Sequence, residues 1–380
     1  MARKVVVKNI WYDDVRKTHY VSFEYGKDEN GKRVKTTKTY KSLREAKKAL
    51  SDFEADKIKN NIVIPTKLTL KDWLEYWLND IKGIRCGETT LYGYKNIINK
   101  HINPTIGNVQ LQAVTPSVIN SYIRQMKTKG LTDNTIRKHY ALLKDALKHA
   151  VNEDKILKNP LDKVEPLKEV KNERDYYNLE QLKKLLEVVD GDRMEIVVKL
   201  AGMLGMRREE LAALKWKNID LENKTIAIVE ARTQAGKHII EKDTKNASSY
   251  RTLHMPNDIA ELLTKIKAAQ EENKRLLGSG YTDGGYVICW EDGTPYKPNY
   301  LSDILTKIVR ENNLDYITLH GLRHTFSSIS NDLGVSMFEI SKTLGHSTVA
   351  TTSKIYTHMF DPIHKSAIDT VSGALFKEDE

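Results

Sequence analysis

Cysteine is nearly absent from this chain of 380 residues, since Cys86 and Cys289 are the only two and lie far apart. Such a pair supports neither a disulfide framework nor a cysteine-based metal site, and it is compatible with a reducing cytosol. No run of 18 apolar residues occurs, so no membrane-spanning segment is expected. The three valines at residues 5–7 are too short a run for a signal peptide. Internal repeats and low-complexity tracts are also missing, and the composition predicts a globular chain of two or three domains, located in the cytoplasm.

Positive charge is in excess and is unevenly distributed. The chain has 61 lysines and arginines against 51 acidic residues, a net charge of +10. Residues 1–60 hold 16 of the basic residues against 9 acidic ones. A basic surplus of this kind suits a polyanion, usually a nucleic acid, although a solvated surface is the alternative.

The first block, residues 1–63, has the pattern of a small sheet with one helix packed on it. Residues 20–25 and 33–40 read as strands on either side of a turn signal. Ser42 and Glu45 then form a capping box that begins a helix. The block is therefore predicted to be a small α+β domain.

Arg33, Lys35 and Lys38 lie on the second predicted strand of this block. A sheet that offers them to solvent suits a DNA major groove. The alternative is an exposed hairpin kept in solution by its lysines.

The second block, residues 66–165, is predicted to be all-α with four helices. Apolar residues from Leu70 to Leu78 follow helical spacing. A later helix is expected to end at Asn103 and Pro104, and Asp133 is expected to cap the fourth helix. The basic residues Lys95, Arg137 and Lys138 lie on polar helix faces, where they either contact phosphates or face water.

A charged linker at residues 165–172 leads to the third block, residues 173–372. This block is predicted to be mainly α with one small antiparallel sheet. Strands are expected at residues 225–229, 238–241 and 250–255. Helices are expected at residues 257–277, 298–312, 318–332 and 336–344, after earlier ones that include an apolar helix ending at Gly205.

Three strings in the third block carry residues suited to phosphoryl transfer. They are residues 205–211 with Arg207 and Glu210, residues 319–326 with His320 and Arg323, and residues 344–347 with His346, ten residues before Tyr356. Two arginines can hold the non-bridging oxygens of a phosphate as charge develops in the transition state. A tyrosine nucleophile needs a proton acceptor, and the departing 5′ oxygen needs an acid such as lysine or histidine. Cationic side chains that neutralise the phosphate would make a metal ion unnecessary.

Together these strings resemble the signature of tyrosine recombinases, the lambda-integrase family. The family's Gly-x-Arg-x-x-Glu segment matches residues 205–210, its His-x-x-Arg pair matches His320 and Arg323, and its Leu-Gly-His string matches His346. The family's nucleophilic tyrosine matches Tyr356. Its catalytic lysine, upstream of a Ser-x-Arg strand, corresponds to Lys245, with Lys242 and Lys237 as nearby competitors.

The resemblance implies a multidomain recombinase fold. The three blocks correspond to an arm-DNA-binding domain, a SAM-like core-binding domain and a catalytic domain, as in integrases of temperate phages and conjugative transposons. It also implies strand cutting and joining through a 3′-phosphotyrosine and a Holliday junction, without ATP or cofactor. The implied partners are double-stranded DNA at core and arm sites, three further copies of the chain, and an accessory directionality or DNA-bending factor. The helical spacing of apolar residues at 363–375 predicts a C-terminal helix exchanged between copies, with packing on its own domain as the alternative, and no membrane is involved.

The resemblance also assigns roles to the matched residues. Arg207, Arg323 and His346 hold the phosphate, Lys245 protonates the leaving oxygen, and His320 accepts the proton of Tyr356 or orients it. Glu210 orients the basic residues.

Other interpretations of the same residues remain open. Arg207 and Glu210 form an ordinary surface pair in many helices. His320 and His324 have zinc-ligand spacing, but the zinc-protease motif fails and no third ligand is evident. A type IB topoisomerase and a DNA-binding regulator without chemistry are the two rival functions.

Overall fold

The computed structural model describes residues 4–27, 31–170, 176–243 and 250–345. The chain divides into two compact units, residues 1–171 and residues 172–380. Buried apolar side chains of the described residues form two hydrophobic clusters in the first unit and one in the second. No helix among these residues has both the length and the apolar character needed to cross a membrane.

The N-terminal part of the first unit is an antiparallel four-stranded sheet covered by one helix. Its strands, in spatial order, are β1 (Lys4–Val7), β2 (Ile10–Asp13), β3 (Thr18–Lys27) and β4 (Arg33–Tyr40), and the helix is α1 (Leu43–Ile58). Val21 and Phe23 alternate on the face that packs on α1, as strand geometry requires. Ser42 caps α1 by accepting a hydrogen bond from the backbone N–H of Glu45 at 3.2 Å. The two predicted strands and the helix are confirmed, whereas β1 and β2 were not predicted.

The rest of the first unit is helical. The elements are α2 (Leu70–Tyr76), which continues as a π-helical turn (Trp77–Lys82), α3 (Glu88–Ile97), a second π-helical turn (Ile98–Ile102), α4 (Asn103–Ile106), α5 (Pro116–Thr128) and α6 (Asp133–Asn152). Trp73 and Trp77 are buried, and the indole of Trp73 donates a hydrogen bond to the carbonyl oxygen of Ala146 at 2.9 Å. The apolar spacing from Leu70 onward therefore does mark a core-facing helix.

Two predicted helix boundaries in this part were wrong. The helix does not end at Asn103 and Pro104, because the chain continues helically to Ile106. Pro104 follows the second π-helical turn and lies in the first turn of α4. The cap of α6 is Thr132 rather than Asp133, since the Thr132 hydroxyl accepts a hydrogen bond from the N–H of Thr135.

One histidine is sealed inside this helical part. His139 on α6 is 1 % exposed, and its Nδ1 lies 2.8 Å from the hydroxyl of Tyr122. The ring of His101 is 5.0 Å away between centroids. Burial, and then the neighbouring His101, lower the pKa of His139 to about 4.

We expect the helical part to lose stability in acid because of His139. Its pKa is lower in the folded state than in the unfolded state, so the unfolded chain binds more protons below about pH 6.5. The free energy of unfolding should therefore fall by about 3 kcal/mol between pH 6.5 and pH 4. In His139→Gln the acid-induced rise in amide hydrogen exchange over α6 should be much smaller than in the unchanged chain. Equal acid sensitivity of the two proteins would contradict the assignment.

The second unit is mainly helical. Its helices are α7 (Leu179–Val188), α8 (Glu195–Leu204), α9 (Arg208–Leu211), α10 (Asn257–Leu277), α11 (Pro298–Glu311), α12 (Leu319–Asp332) and α13 (Met337–Leu344). Its strands are β5 (Ile219–Asp220), β6 (Thr225–Ile228), β7 (Glu230–Ala235), β8 (His238–Asp243) and β9 (Arg251–His254). Helix α8 is buried along most of its length and packs against α12. The predicted helices from residue 257 onward are confirmed.

The prediction of one small sheet in this unit was wrong. Among the described residues, β5, β6 and β9 form one antiparallel sheet, while β7 and β8 form a separate hairpin. The chain changes partner at Val229, because β6 pairs with β9 whereas β7 pairs with β8. Strand pairing is a non-local choice that the alternation of side chains along one strand does not reveal.

Candidate active site

The site begins where α8 ends against α12 and α13. Gly205 ends α8 with φ of 64°, a left-handed conformation that favours glycine. A Cβ atom at this position would lie 2.7 Å from a Leu344 methyl carbon and 2.8 Å from the Phe326 ring. Glycine is therefore required both for the turn and for the close approach of the three segments.

Arg323 on α12 holds these segments together. Its side chain is almost completely buried, and its guanidinium donates to the carbonyl oxygens of Gly205 at 2.6 Å and Leu344 at 2.7 Å. A buried charge is costly unless hydrogen bonds compensate it. These two bonds give the Arg323 guanidinium a defined position and orientation.

Arg207 lies in the turn between α8 and α9. Its guanidinium donates to Oε1 of Glu210 at 2.7 Å and to the carbonyl oxygen of Gly345 at 3.2 Å. Its backbone N–H also donates to Oε2 of Glu210 at 2.8 Å. The side chain of Arg207 keeps 30 % of its surface exposed, so a ligand can reach it from outside.

The structure brings Arg207 and Arg323 together. Their guanidiniums bind the carbonyl oxygens of two consecutive residues, Gly345 and Leu344. Consecutive Cα atoms are about 3.8 Å apart, so the two guanidiniums lie within roughly 10 Å of each other. Two arginines at this separation, one reachable from outside, suit a single phosphate group.

Glu210 on α9 is the buried carboxylate of the site. It is 3 % exposed and accepts hydrogen bonds from Arg207 and Arg251. Burial alone would raise the pKa of Glu210, but the hydrogen bonds and charge of Arg251, followed by the charge of Arg207, lower it to about 2. Glu210 is therefore ionised at neutral pH and contacts Arg207 directly.

Replacing this carboxylate is expected to destabilise the second unit strongly. Glu210→Gln leaves two guanidiniums without their counter-charge, and breaking a buried ion pair costs about 3–5 kcal/mol. In the unchanged protein the contribution of Glu210 is complete above about pH 4.5 and is lost as the pH falls toward 2, because the folded-state pKa is depressed. Calorimetric unfolding at pH 7 should show the loss.

Glu209→Gln is the matched control for that measurement. Glu209 is the preceding residue, is more exposed, and pairs with Arg208. Its substitution should leave the unfolding temperature almost unchanged. If the two variants unfold at the same temperature, Glu210 does not hold the site together.

Arg251, the arginine of the Ser-x-Arg strand, is a site residue that was not among the predicted catalytic residues. Its side chain is 6 % exposed, and its two terminal nitrogens donate to both oxygens of Glu210 at 2.9 and 2.8 Å. Its Nε donates to the carbonyl oxygen of Thr343 at 2.6 Å. A signal was present: alternation along β9 places Arg251 on the same face as the buried Leu253, and an inward-facing arginine requires an acidic partner.

The two histidines of α12 differ in environment. His320 lies in the first turn and is exposed, whereas His324 is buried. Their ring centroids are 4.5 Å apart in an edge-to-face arrangement. No group of three or more histidine, cysteine or acidic side chains suited to a metal ion occurs in the described ranges.

Three predicted catalytic residues, His346, Tyr356 and Lys245, lie outside the described residues, as does the predicted C-terminal helix at residues 363–375. Of the competitors for Lys245, Lys237 follows β7 in the turn of the hairpin and Lys242 lies on β8.

The three basic residues predicted on the N-terminal sheet are divided between its faces. Lys38 pairs with the buried Val21, which faces α1, and its ammonium lies 6.0 Å from the centroid of the Phe23 ring. Arg33 and Lys35 are an odd number of residues from Lys38 along β4, so their side chains lie on the opposite, open face of the sheet. All three side chains are exposed, with Arg33 and Lys35 sharing the open face, and their contact with DNA stays a prediction.

The three basic residues predicted on the helical block are also placed differently from one another. Lys95 and Lys138 are exposed. Arg137 donates to the carbonyl oxygen of Leu167 and lies 3.8 Å from Glu169. These contacts tie the guanidinium of Arg137 to the connecting segment, and they compete with the phosphate contact predicted for it.

Comparisons with known families match most of the chain. The phage integrase family matches residues 176–362, the phage integrase N-terminal SAM-like domain matches residues 69–138, and the arm DNA-binding domain matches residues 9–57. Two of the matches are to phage integrase domains and the third is to an arm DNA-binding domain.

Similar proteins agree with these matches. A XerC-like tyrosine recombinase of Caldanaerobacter subterraneus subsp. tengcongensis is 26 % identical over 93 % of this chain and 95 % of its own length. The ICEBs1 integrase of Bacillus subtilis is 26 % identical over 74 % of this chain and 77 % of its own length. The solved Tn1549 transposon integrase in complex with a circular intermediate DNA has a TM-score of 0.68 at 20 % identity, covering 80 % of this chain and 99 % of that one. The chain therefore belongs to the phage integrase family, the tyrosine recombinases, and is a DNA strand-transfer enzyme of the transposon and phage integrase type.

Proposed function

We propose that this chain integrates and excises a mobile element by cutting and rejoining DNA at a phosphate held between Arg207 and Arg323. The observation that carries this proposal is the meeting of their guanidiniums at the carbonyl oxygens of Leu344 and Gly345. Those two residues directly precede His346, and Tyr356 follows ten residues later. The arginines thus lie where the segment with the nucleophile leaves α13.

In the proposed reaction the phenolic oxygen of Tyr356 attacks the scissile phosphorus, and the bond from phosphorus to the 5′ oxygen breaks. The proton of the phenol passes to His320, and Lys245 donates a proton to the leaving 5′ oxygen. The products are a 3′-phosphotyrosine and a free 5′ hydroxyl. A 5′ hydroxyl of another strand then reverses these steps, and the conserved bond energy makes ATP unnecessary.

The charge that develops on the phosphorane is held by fixed donors. Arg207 and Arg323 bind the non-bridging oxygens, and His346 adds a hydrogen bond. Arginine suits this role because its planar fork stays charged and grips phosphate oxygens in pairs. Since Arg207 is held by Glu210 and is reachable from outside, its guanidinium needs little reorganisation when DNA binds.

The DNA is proposed to be contacted by all three blocks. Residues 1–63 bind arm sites, residues 66–165 bind core sites together with the catalytic block, residues 173–372, and Lys95 and Lys138 contact phosphates. Arg33 and Lys35 on the open sheet face support arm binding. Four copies act on one Holliday junction, exchange C-terminal helices and work with an accessory directionality or bending factor in the bacterial cytoplasm.

A type IB topoisomerase is the rival with similar chemistry. The N-terminal match to an arm DNA-binding domain favours the integrase instead, because an enzyme that only relaxes supercoils has no need of a second class of DNA site. A supercoiled plasmid that carries the joined ends of the element separates the two functions. The integrase should produce recombinants and a Holliday junction, whereas a topoisomerase would produce relaxed circles alone.

A covalent-adduct assay tests the proposed chemistry. The full chain is incubated in EDTA with DNA that contains the joined element ends and a nick close to the cleavage point, so that the released fragment diffuses away. We expect an SDS-stable adduct on the strand that ends in a 3′ phosphate. Failure to form an adduct on any such junction, or attachment through a 5′ phosphate, would refute the proposal.

A further inference from the structure

Three arginines cap the C-terminus of α13. The carbonyl oxygens of Thr343, Leu344 and Gly345 accept hydrogen bonds from three different guanidiniums. The donors come from three separate elements: Arg251 from β9, Arg323 from α12 and Arg207 from the turn before α9. The last carbonyls of a helix lack partners within it and carry partial negative charge, which suits arginine.

Of these three arginines, Arg251 also binds both oxygens of Glu210. The two terminal nitrogens of Arg251 meet the carboxylate as a fork, in the bidentate geometry that fixes both groups in one plane. Glu210 in turn accepts from the guanidinium and the backbone N–H of Arg207. The orientation of Arg207 therefore depends on a carboxylate whose own orientation is set by Arg251.

Burial separates the roles of the two arginines on Glu210. The side chain of Arg207 is 30 % exposed, whereas that of Arg251 is 6 % exposed. Arg207 can meet a phosphate that approaches from outside, while Arg251 is occupied by Glu210 and Thr343. An effect of Arg251 on the reaction must therefore pass through these partners.

We propose that Arg251 is a positioning residue for strand cleavage, which orients Arg207 through Glu210 and holds the end of α13 from which the chain continues to His346. This inference rests on the proposed function, because it assumes that Arg207 neutralises the scissile phosphate. Arg251, the first residue of β9, is thereby connected to Arg207 through Glu210 and to Arg323 through the end of α13. No part of the reaction requires Arg251 to touch DNA.

Arg251→Lys tests the proposal, since lysine keeps the charge but lacks the planar fork. The rate of adduct formation is measured on the natural phosphodiester and on a methylphosphonate at the cleavage position mapped with the unchanged chain. We expect Arg251→Lys to slow cleavage of the diester by about 10²-fold, the cost of a small misplacement of a catalytic group. The methylphosphonate lacks one charged oxygen and needs less neutralisation, so on it the slowing should be at least tenfold smaller.

Arg275→Lys is the matched control. Arg275 also grips a glutamate as a fork, Glu272 on α10, but its side chain is 73 % exposed. This variant should cleave both substrates at unchanged rates. Affinity for the uncleaved DNA should be unchanged in both variants.

Two results would overturn the positioning role of Arg251: no slowing on the diester, or equal slowing on both substrates, which indicates a merely structural contribution. If Arg251→Lys does not fold, Glu210→Asp shortens the same connection and is judged by the same substrate comparison. An unchanged chain that forms no adduct would refute the proposed function instead, so the two failures are distinguishable.

Discussion

Tyr356→Phe is expected to bind DNA with unchanged affinity and to form no covalent adduct. The substitution removes one oxygen atom, the proposed nucleophile, and leaves the aromatic ring in place. Since the adduct is a bond between that oxygen and phosphorus, its loss should be complete rather than partial. DNA affinity comes from many phosphate contacts and should not depend on this hydroxyl.

Adduct formation is measured on denaturing gels after SDS treatment, and affinity by electrophoretic mobility at a fixed salt concentration. Tyr316→Phe is the control, because Tyr316 is an exposed tyrosine of the same block just before α12. It should form the adduct at the normal rate. An adduct of normal size in Tyr356→Phe would show that another residue attacks the phosphorus.

Arg207→Ala should slow strand cleavage by about 10²–10³-fold, equivalent to about 3–4 kcal/mol in the barrier. The reason is that a donor fixed beside the developing charge is removed, whereas ground-state binding loses only one of many contacts. Arg207 is a better test than Arg323, because removal of the buried Arg323 would leave the carbonyl oxygens of Gly205 and Leu344 without these donors. Glu210 keeps Arg251 as a partner in Arg207→Ala, so the fold should persist.

Single-turnover cleavage rates at saturating enzyme separate chemistry from binding in this experiment. Arg208→Ala is the control, since Arg208 is the next residue, has similar exposure and pairs with Glu209. Its cleavage rate should stay within a few-fold of normal. A loss of DNA affinity without a change in cleavage rate in Arg207→Ala would assign Arg207 to binding rather than to catalysis.

Much of the fold was predictable because its signals are local. The amphipathic run of α10 was predicted at residues 257–277 and is observed as Asn257–Leu277. Asn178 and Gln181 form a capping box that begins α7, since the side chain of each accepts from the backbone N–H of the other. Caps and apolar spacing depend on residues within one segment, and the one error among them, the cap of α6, was a shift by a single residue.

Two errors occurred where the periodicity of one segment does not decide the structure. The split of the small sheet follows from the pairing of β6 with β9, whose residues are separated by the whole of β7 and β8. The chain also stays helical through Pro104, directly after a π-helical turn. Neither outcome is encoded in the periodicity of one segment.

For the site, the sequence by itself determined which residue types are available and in what order. Arg207, Glu210, Arg323 and Tyr356 were identified from short strings and from their resemblance to a family. Only the tertiary structure decided that three guanidiniums meet at consecutive carbonyls of α13, and that Arg251 completes the arrangement through Glu210. The physical reason is that a buried charge acquires its partners from whichever segments the hydrophobic core brings near it, and the core is assembled from the whole chain.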